Sequence, residues 1–189
     1  MIFAPWQPST LLLPPVYLDA NVLVGATVSR HALYPNCRLL LAELMANRCP
    51  IVLSTVCISE HLWAVCKISY YDLMHQLPRA AFSKSIYAKW NAQILQQYGA
   101  RLGALGSLLK SLLSSGYPID IVPDSMTVSD QALDRVLAHM LHLGLTPGDA
   151  IHLALAELCA QTFITADHDY SKVAGYAPGT TLAVLHVTP

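Results

Sequence analysis

The sequence predicts an α/β protein organised around a parallel sheet, and three observations carry that prediction. Short runs such as Val16-Tyr17-Leu18, Ile51-Val52-Leu53-Ser54 and Thr162-Phe163-Ile164-Thr165 are apolar nearly throughout. Strands covered on both faces read this way, whereas half-exposed strands alternate. Helical spacings separate the runs, which gives the strand–helix–strand order of parallel crossovers. The runs also end on polar residues, with Asp19 after the first and Thr165 closing the last. Open sheets of this class bind ligands in the crevice outside the carboxyl ends of their strands, so an acid there is placed for chemistry. The structural alternative is an Asp that caps the following helix or turn.

Composition sets the limits. A chain of 189 residues suffices for one domain with a real core. Its 54% hydrophobic and 12% charged residues exclude a disordered protein. Every run of eighteen residues contains a Pro or a charge, so no membrane span is expected. No basic residue precedes Leu11-Leu12-Leu13, and Pro14-Pro15 closes that run, which makes a poor signal peptide. Residues 1–15 are expected to be an extension on the surface or against a partner, with residues 16–189 as a single domain. The five cysteines are odd in number and form no C-x-x-C pair, as reduced thiols of a cytoplasmic protein do. Eight His are scattered without zinc-ligand spacing.

The elements follow in order. After the strand at 16–18 and Asp19 comes a loop. Pro35-Asn36 then opens a helix through Leu39, Leu40, Leu44 and Met45, which Cys49-Pro50 ends because Pro cannot continue the ladder. Ile51–Ser54 is the second strand. Thr55 is a suitable N-cap for a helix running through Ile58, Leu62 and Val65. On another face of that helix Glu60, Ala64 and Lys67 fall together by spacings of four and three. A carboxylate in the second turn of a helix after a strand can point back over the sheet edge; an exposed helical Glu is the plainer alternative. Residues 71–116 read as inserted helices. Ile86, Trp90, Ile94 and Tyr98 form one stripe, and Leu102, Leu105, Leu108, Leu109, Leu112 and Leu113 another, as core or as a dimer face.

Ser115-Gly116-Tyr117-Pro118 is a break, and residues 119–122 are the third strand. Thr127 with Asp130 resembles a capping box. The helix behind it places Leu133, Val136, Leu137, Met140 and Leu141 on one stripe and stops at Gly144. Thr146 as N-cap and Pro147 as first helical residue put Asp149 in a first turn, where the helix dipole favours a carboxylate. His152, one turn on, reads as a satisfied structural His. Residues 162–165 form the fourth strand, Asp167 stands just past it, and residues 182–187 form the last.

Asp19, Glu60, Asp149 and Asp167 can all converge on one edge of a parallel sheet. Four acids brought together repel, so a fold keeps them only with something positive between them. Hard divalent cations take oxygen ligands, and Mg²⁺ uses a few carboxylates, waters and substrate phosphate. Charge is distributed to match. Residues 61–119 hold Lys67, Arg79, Lys84, Lys89, Arg101 and Lys110 against Asp72 alone, whereas residues 120–189 hold eight acids and two bases. A basic middle beside an acidic end suits a polyanion groove next to a cation site; a solvated helical face is the alternative.

Four segments carry a family resemblance: Tyr17-Leu18-Asp19-Ala20-Asn21-Val22-Leu23, Ile58-Ser59-Glu60-His61-Leu62, Gly148-Asp149-Ala150-Ile151-His152-Leu153-Ala154 and Ile164-Thr165-Ala166-Asp167-His168-Asp169. In this order the chain resembles the PIN-domain ribonucleases, most of all the VapC-type toxins of toxin–antitoxin pairs. The resemblance implies a three-layer α/β/α sandwich, Mg²⁺ or Mn²⁺, and endonucleolytic cleavage of RNA. By position it makes Asp19, Glu60, Asp149 and Asp167 metal-binding and catalytic, Asp169 a less constant fifth acid, and Asn21 and Thr165 supporting residues. A cytoplasmic protein with a cognate antitoxin and a homodimeric state goes with it. Lys67, Lys84, Lys89, Arg101 and Lys110 are the RNA-binding candidates. The helices of 71–116 and the extension depart from compact members of the family. Two other readings fit parts of the pattern. One is a PIN-like module that binds RNA or protein without cleaving. The other is a phosphatase with Asp19 as nucleophile, which would want a second acid where Asn21 stands.

Overall fold

The computed structural model describes residues 1–74, 82–123, 125–126, 129–176 and 181–189. Among these, β1 (Ile2–Pro5), β2 (Val16–Leu18), β3 (Ile51–Ser54), β4 (Ile119–Val122), β5 (Thr162–Thr165) and β6 (Ala183–His186) form one sheet in the order β1-β6-β5-β2-β3-β4. All five pairings are parallel. Alternate residues of the central strands face opposite layers. Val16 and Leu18 pack with α1 (Ala20–Thr27), α2 (Tyr34–Ala46) and α5 (Ala104–Ser114). Tyr17, Val52 and Phe163 pack with α6 (Asp130–Leu143) and α7 (Pro147–Cys159). Helices on both faces make this the expected three-layer α/β/α sandwich.

From β2 the chain winds to one side through β3 and β4 and later to the other through β5 and β6. The strand order therefore reverses beside β2, and a crevice opens at its carboxyl end. Three polar residues close the central strands there, Asp19 after β2, Ser54 on β3 and Thr165 on β5, all of them buried.

Several expectations need correction. The stretch after Asp19, expected to be a loop, is helix α1, and Asp19 caps it by accepting from the Ala20 amide. Helix α3 (Thr55–Leu73) is capped by Ser54 and not by Thr55; the Ser54 hydroxyl accepts from the Cys57 amide at 3.0 Å. Residues 2–5 of the expected extension are an edge strand on β6, and Trp6 behind them is buried in the core. Of the stripe expected on α6, Leu133, Leu137 and Leu141 are exposed, and Ala132, Val136 and His139 are the buried side. Ser129 caps this helix; the expected Thr127 cap lies outside the described residues. The run 102–113 is broken at Gly103, where α4 (Lys84–Leu102) ends and α5 begins. All five cysteines are free. No helix among the described residues is long and apolar enough to cross a membrane.

Candidate active site

Asp19 leaves β2 into the crevice and is 3% exposed. Its two carboxylate oxygens are held by different elements. Oδ1 accepts from the Ala20 amide at 2.7 Å, and Oδ2 accepts from the Thr165 hydroxyl at 2.7 Å. Thr165 Oγ1 in turn accepts from the Asp167 amide at 3.0 Å, so β5 and its following turn are tied to the same carboxylate. Burial raises the Asp19 pKa and the neighbouring charge of Glu60 adds to that; His152 and the two hydrogen bonds oppose it.

Glu60 comes from the second turn of α3 and is half-exposed. The Gly148 position explains how it reaches the crevice. A Cβ there would lie 3.3 Å from Glu60 Oε1, so the missing side chain leaves room for the carboxylate. Glu60 Oε2 and His152 Nε2 form a hydrogen bond of 2.7 Å. The other ring nitrogen of His152 is 2.9 Å from the Tyr17 hydroxyl, which is 2.7 Å from Ser54 Oγ. A buried polar chain thus runs from Glu60 through His152 and Tyr17 to the cap of α3. Burial disfavours a charged His152, but the Glu60 hydrogen bond and the carboxylates of Asp19, Glu60 and Asp149 outweigh it and raise its pKa.

Asp19, Glu60 and His152 each offer a ligand atom, and these atoms all lie within 4.8 Å of one another. Two carboxylates with an imidazole suit a divalent cation, the carboxylates best matching a hard one. The expected residues do not all join that group. Asp149 sits in the first turn of its helix, which Thr146 caps as expected, and the Asp149 Oδ2 accepts from the Thr146 hydroxyl at 2.6 Å. Asp167 Oδ1 accepts from the Asp169 amide at 2.8 Å at the opening of a 3-10 turn, His168–Val173. Both are tied to neighbours of the site through their backbones: the Asp149 carbonyl accepts from the Tyr170 hydroxyl at 3.2 Å, and the Asp167 amide donates to Thr165, which holds Asp19. Asp169 is exposed, 3.6 Å from the Lys172 ammonium. Asn21 is exposed on the first turn of α1.

The basic candidates divide. Lys67 and Lys84 line, with Glu60, an open cleft of about 790 Å³. Arg101 is engaged, at 2.7 Å from Asp72 and over the Tyr98 ring. Lys89 lies 5.7 Å from the Trp90 ring centre, and Lys110 is exposed on α5. Sequence reasoning missed Tyr17 and Ser54 and took His152 as structural only. The signal for His152 was its spacing of three from Asp149, which puts both on one side of a helix.

A family model for the PIN domain matches residues 16–176. Among curated proteins nothing matches. Among solved structures, the chain is similar to VapC20 of Mycobacterium tuberculosis, described as a sarcin-ricin loop cleaving toxin. The two share 10% identity at a TM-score of 0.45, over 82% of this chain and 92% of the other. It is also similar to VapBC2 from Rickettsia felis, bound to a DNA fragment from their promoter, with 16% identity, a TM-score of 0.48, and coverage of 92% and 98%.

Proposed function

The chain belongs to the PIN-domain family, and from that premise we propose that it is a metal-dependent endoribonuclease hydrolysing RNA phosphodiester bonds, the toxin of a toxin–antitoxin pair in the cytoplasm. The observation that carries the reading is the approach of Asp19 and Glu60, from separate elements, at the point where the strand order reverses. Asp19 and Glu60 would hold Mg²⁺ or Mn²⁺, and the family reading adds Asp149, Asp167 and Asp169 as the further acids of the site. When bound, the cation supplies the acidity that activates a water and the charge that stabilises an in-line phosphoryl displacement. Thr165 and the Ala20 amide orient Asp19, and Asn21 stands one residue past that amide on the solvent side. His152 fixes one oxygen of Glu60, and Lys67 and Lys84 attract the RNA backbone. The same family reading includes a cognate antitoxin and a homodimer, which co-purification and sedimentation would detect.

Replacing Asp19 by Asn tests the assignment, because an amide can still bond Ala20 and Thr165. Asp19→Asn should abolish Mg²⁺-dependent cleavage of a mixed RNA pool and leave the chelator-treated protein as stable as the wild type or more so. Mg²⁺ at about a hundred times its dissociation constant should stabilise the wild type by roughly 2.7 kcal/mol and the variant far less. Cleavage that survives the substitution, or an equal gain from Mg²⁺, overturns the assignment. One observation favours a second reading, a PIN module that binds RNA without cutting it. His152 holds a Glu60 oxygen within the cation-sized group. Under that reading the wild type binds RNA and cuts none in either metal.

A further inference from the structure

Next to the carboxylates, the cleft between α3 and the start of α4 joins the candidate site to an aromatic wall. Glu60 lines it, and Trp63, one helical turn further along α3, lines it too. Trp63 is 38% exposed, yet its indole is held from behind. Its ring centroid is 4.8 Å from that of Phe82 and 5.9 Å from that of Tyr87. Phe82 rests in turn on buried Tyr70, at 5.3 Å. The indole is therefore fixed in place with part of its surface left to solvent, at the mouth of the crevice. Lys67 and Lys84 complete the lining from the two helices.

This combination favours a nucleotide over an apolar protein helix. A wall of aromatics alone would accept either, but the cations standing beside it suit the phosphates that flank a base. Glu60 belongs to the cleft and to the cation-sized group alike, so whatever lies on Trp63 lies next to the scissile bond. Resting on the ribonuclease reading above, we infer that the cleft is a base-stacking subsite. An unpaired nucleobase adjoining the cleaved phosphate lies on Trp63, with Lys67 and Lys84 taking neighbouring phosphates. Bases in a duplex are already stacked, whereas single strands and loops can offer one to an aromatic side chain. The subsite thus takes one unpaired nucleotide beside the cleaved phosphate.

The test measures binding of a short single-stranded RNA and of its duplex to the full chain in the cleavage-deficient Asp19→Asn background. Steady-state cleavage is measured with Asp19 intact. Trp63→Ala should weaken single-strand binding about tenfold to a hundredfold, the range expected for one lost base stack, raise KM in parallel and leave duplex binding little changed. Trp63→Phe keeps an aromatic face and should recover most of the affinity, which separates stacking from a damaged fold. Single strands should quench wild-type tryptophan fluorescence more than that of Trp63→Phe. If Trp63→Ala binds single strands like the wild type in an enzyme that cleaves, the subsite is wrong and the ribonuclease reading stands. Equal losses for duplex and single strand also overturn the subsite. A wild type that cuts no RNA removes the reading and the inference together.

Discussion

Asp19 serves the fold and the site with the same two oxygens. One caps α1 and the other takes the Thr165 hydroxyl, so the helix-cap alternative and the chemical role coexist in one residue. A carboxylate this buried is retained against its desolvation only because hydrogen bonds and a neighbouring imidazole offset the cost. Glu60 is the opposite case, a half-exposed side chain whose position depends on an absent one. Gly148→Ala would bring a methyl to within 3.3 Å of Glu60 Oε1. The obstacle meets the free end of a flexible side chain, so the carboxylate gives way and the backbone does not. We expect an unchanged or slightly raised melting temperature, since Ala favours a helix over Gly. Cleavage should fall by about tenfold, because small misplacements of a catalytic group are costly. Full activity in Gly148→Ala would mean that the position of Glu60 does not limit the reaction. The approach of Asp19 and Glu60 was legible in the sequence from their places at a strand end and early in a helix after a strand. The polar chain beneath them was not, because Tyr17 and Ser54 looked like ordinary strand residues and the His152 that bonds Tyr17 is 135 residues away from it.

At the scale of elements, the misreadings have physical causes. Helix α1 buries Ala20, Val22, Leu23, Val24, Gly25 and Ala26, and a helix covered nearly all round shows no amphipathic period. Its Val-Leu-Val run is also better suited to a strand. Gly25 is required where α1 meets α2, since a Cβ there would fall 2.5 Å from Cys37 Sγ. On α6 the error was one of rotation. The sequence treats His139 as polar, yet it is buried against Glu157 at 3.2 Å, with Arg135 on the same carboxylate at 2.6 Å. This polar contact with α7 turns Leu133, Leu137 and Leu141 outward. Val136→Ala should therefore destabilise the protein by about 1–3 kcal/mol and Leu137→Ala by no more than about 0.5 kcal/mol. Urea melts of the two variants decide between the orientations. A larger loss for Leu137→Ala would mean that another chain covers this face, or that the helix is turned as the sequence suggests.

For the molecule as a whole, the strand order was only partly legible. The crossovers announce a parallel sheet, but β1 pairs with β6, from the other end of the chain, and its four residues Ile-Phe-Ala-Pro carry no local sign of that partner. Charge behaves similarly. The sequence shows a basic middle segment, and only the fold decides which of its bases share a surface. Lys67 and Lys84 share one with Glu60, while Arg101 is neutralised by Asp72. Each phosphate neutralised in a single strand contributes about 0.7 to the slope of log affinity against log salt. Lys67→Gln and Lys84→Gln should each flatten that slope by about this amount and weaken binding across RNA sequences alike. Arg101→Gln should leave the slope unchanged, because its counter-charge is already on the protein. Titrations of single-stranded RNA at several salt concentrations would measure all three. A flattened slope for Arg101→Gln with none for the two lysines would move the RNA path from the mouth of the crevice to the C-terminal end of α4. The charge segregation would then describe a different groove from the one that Glu60 lines.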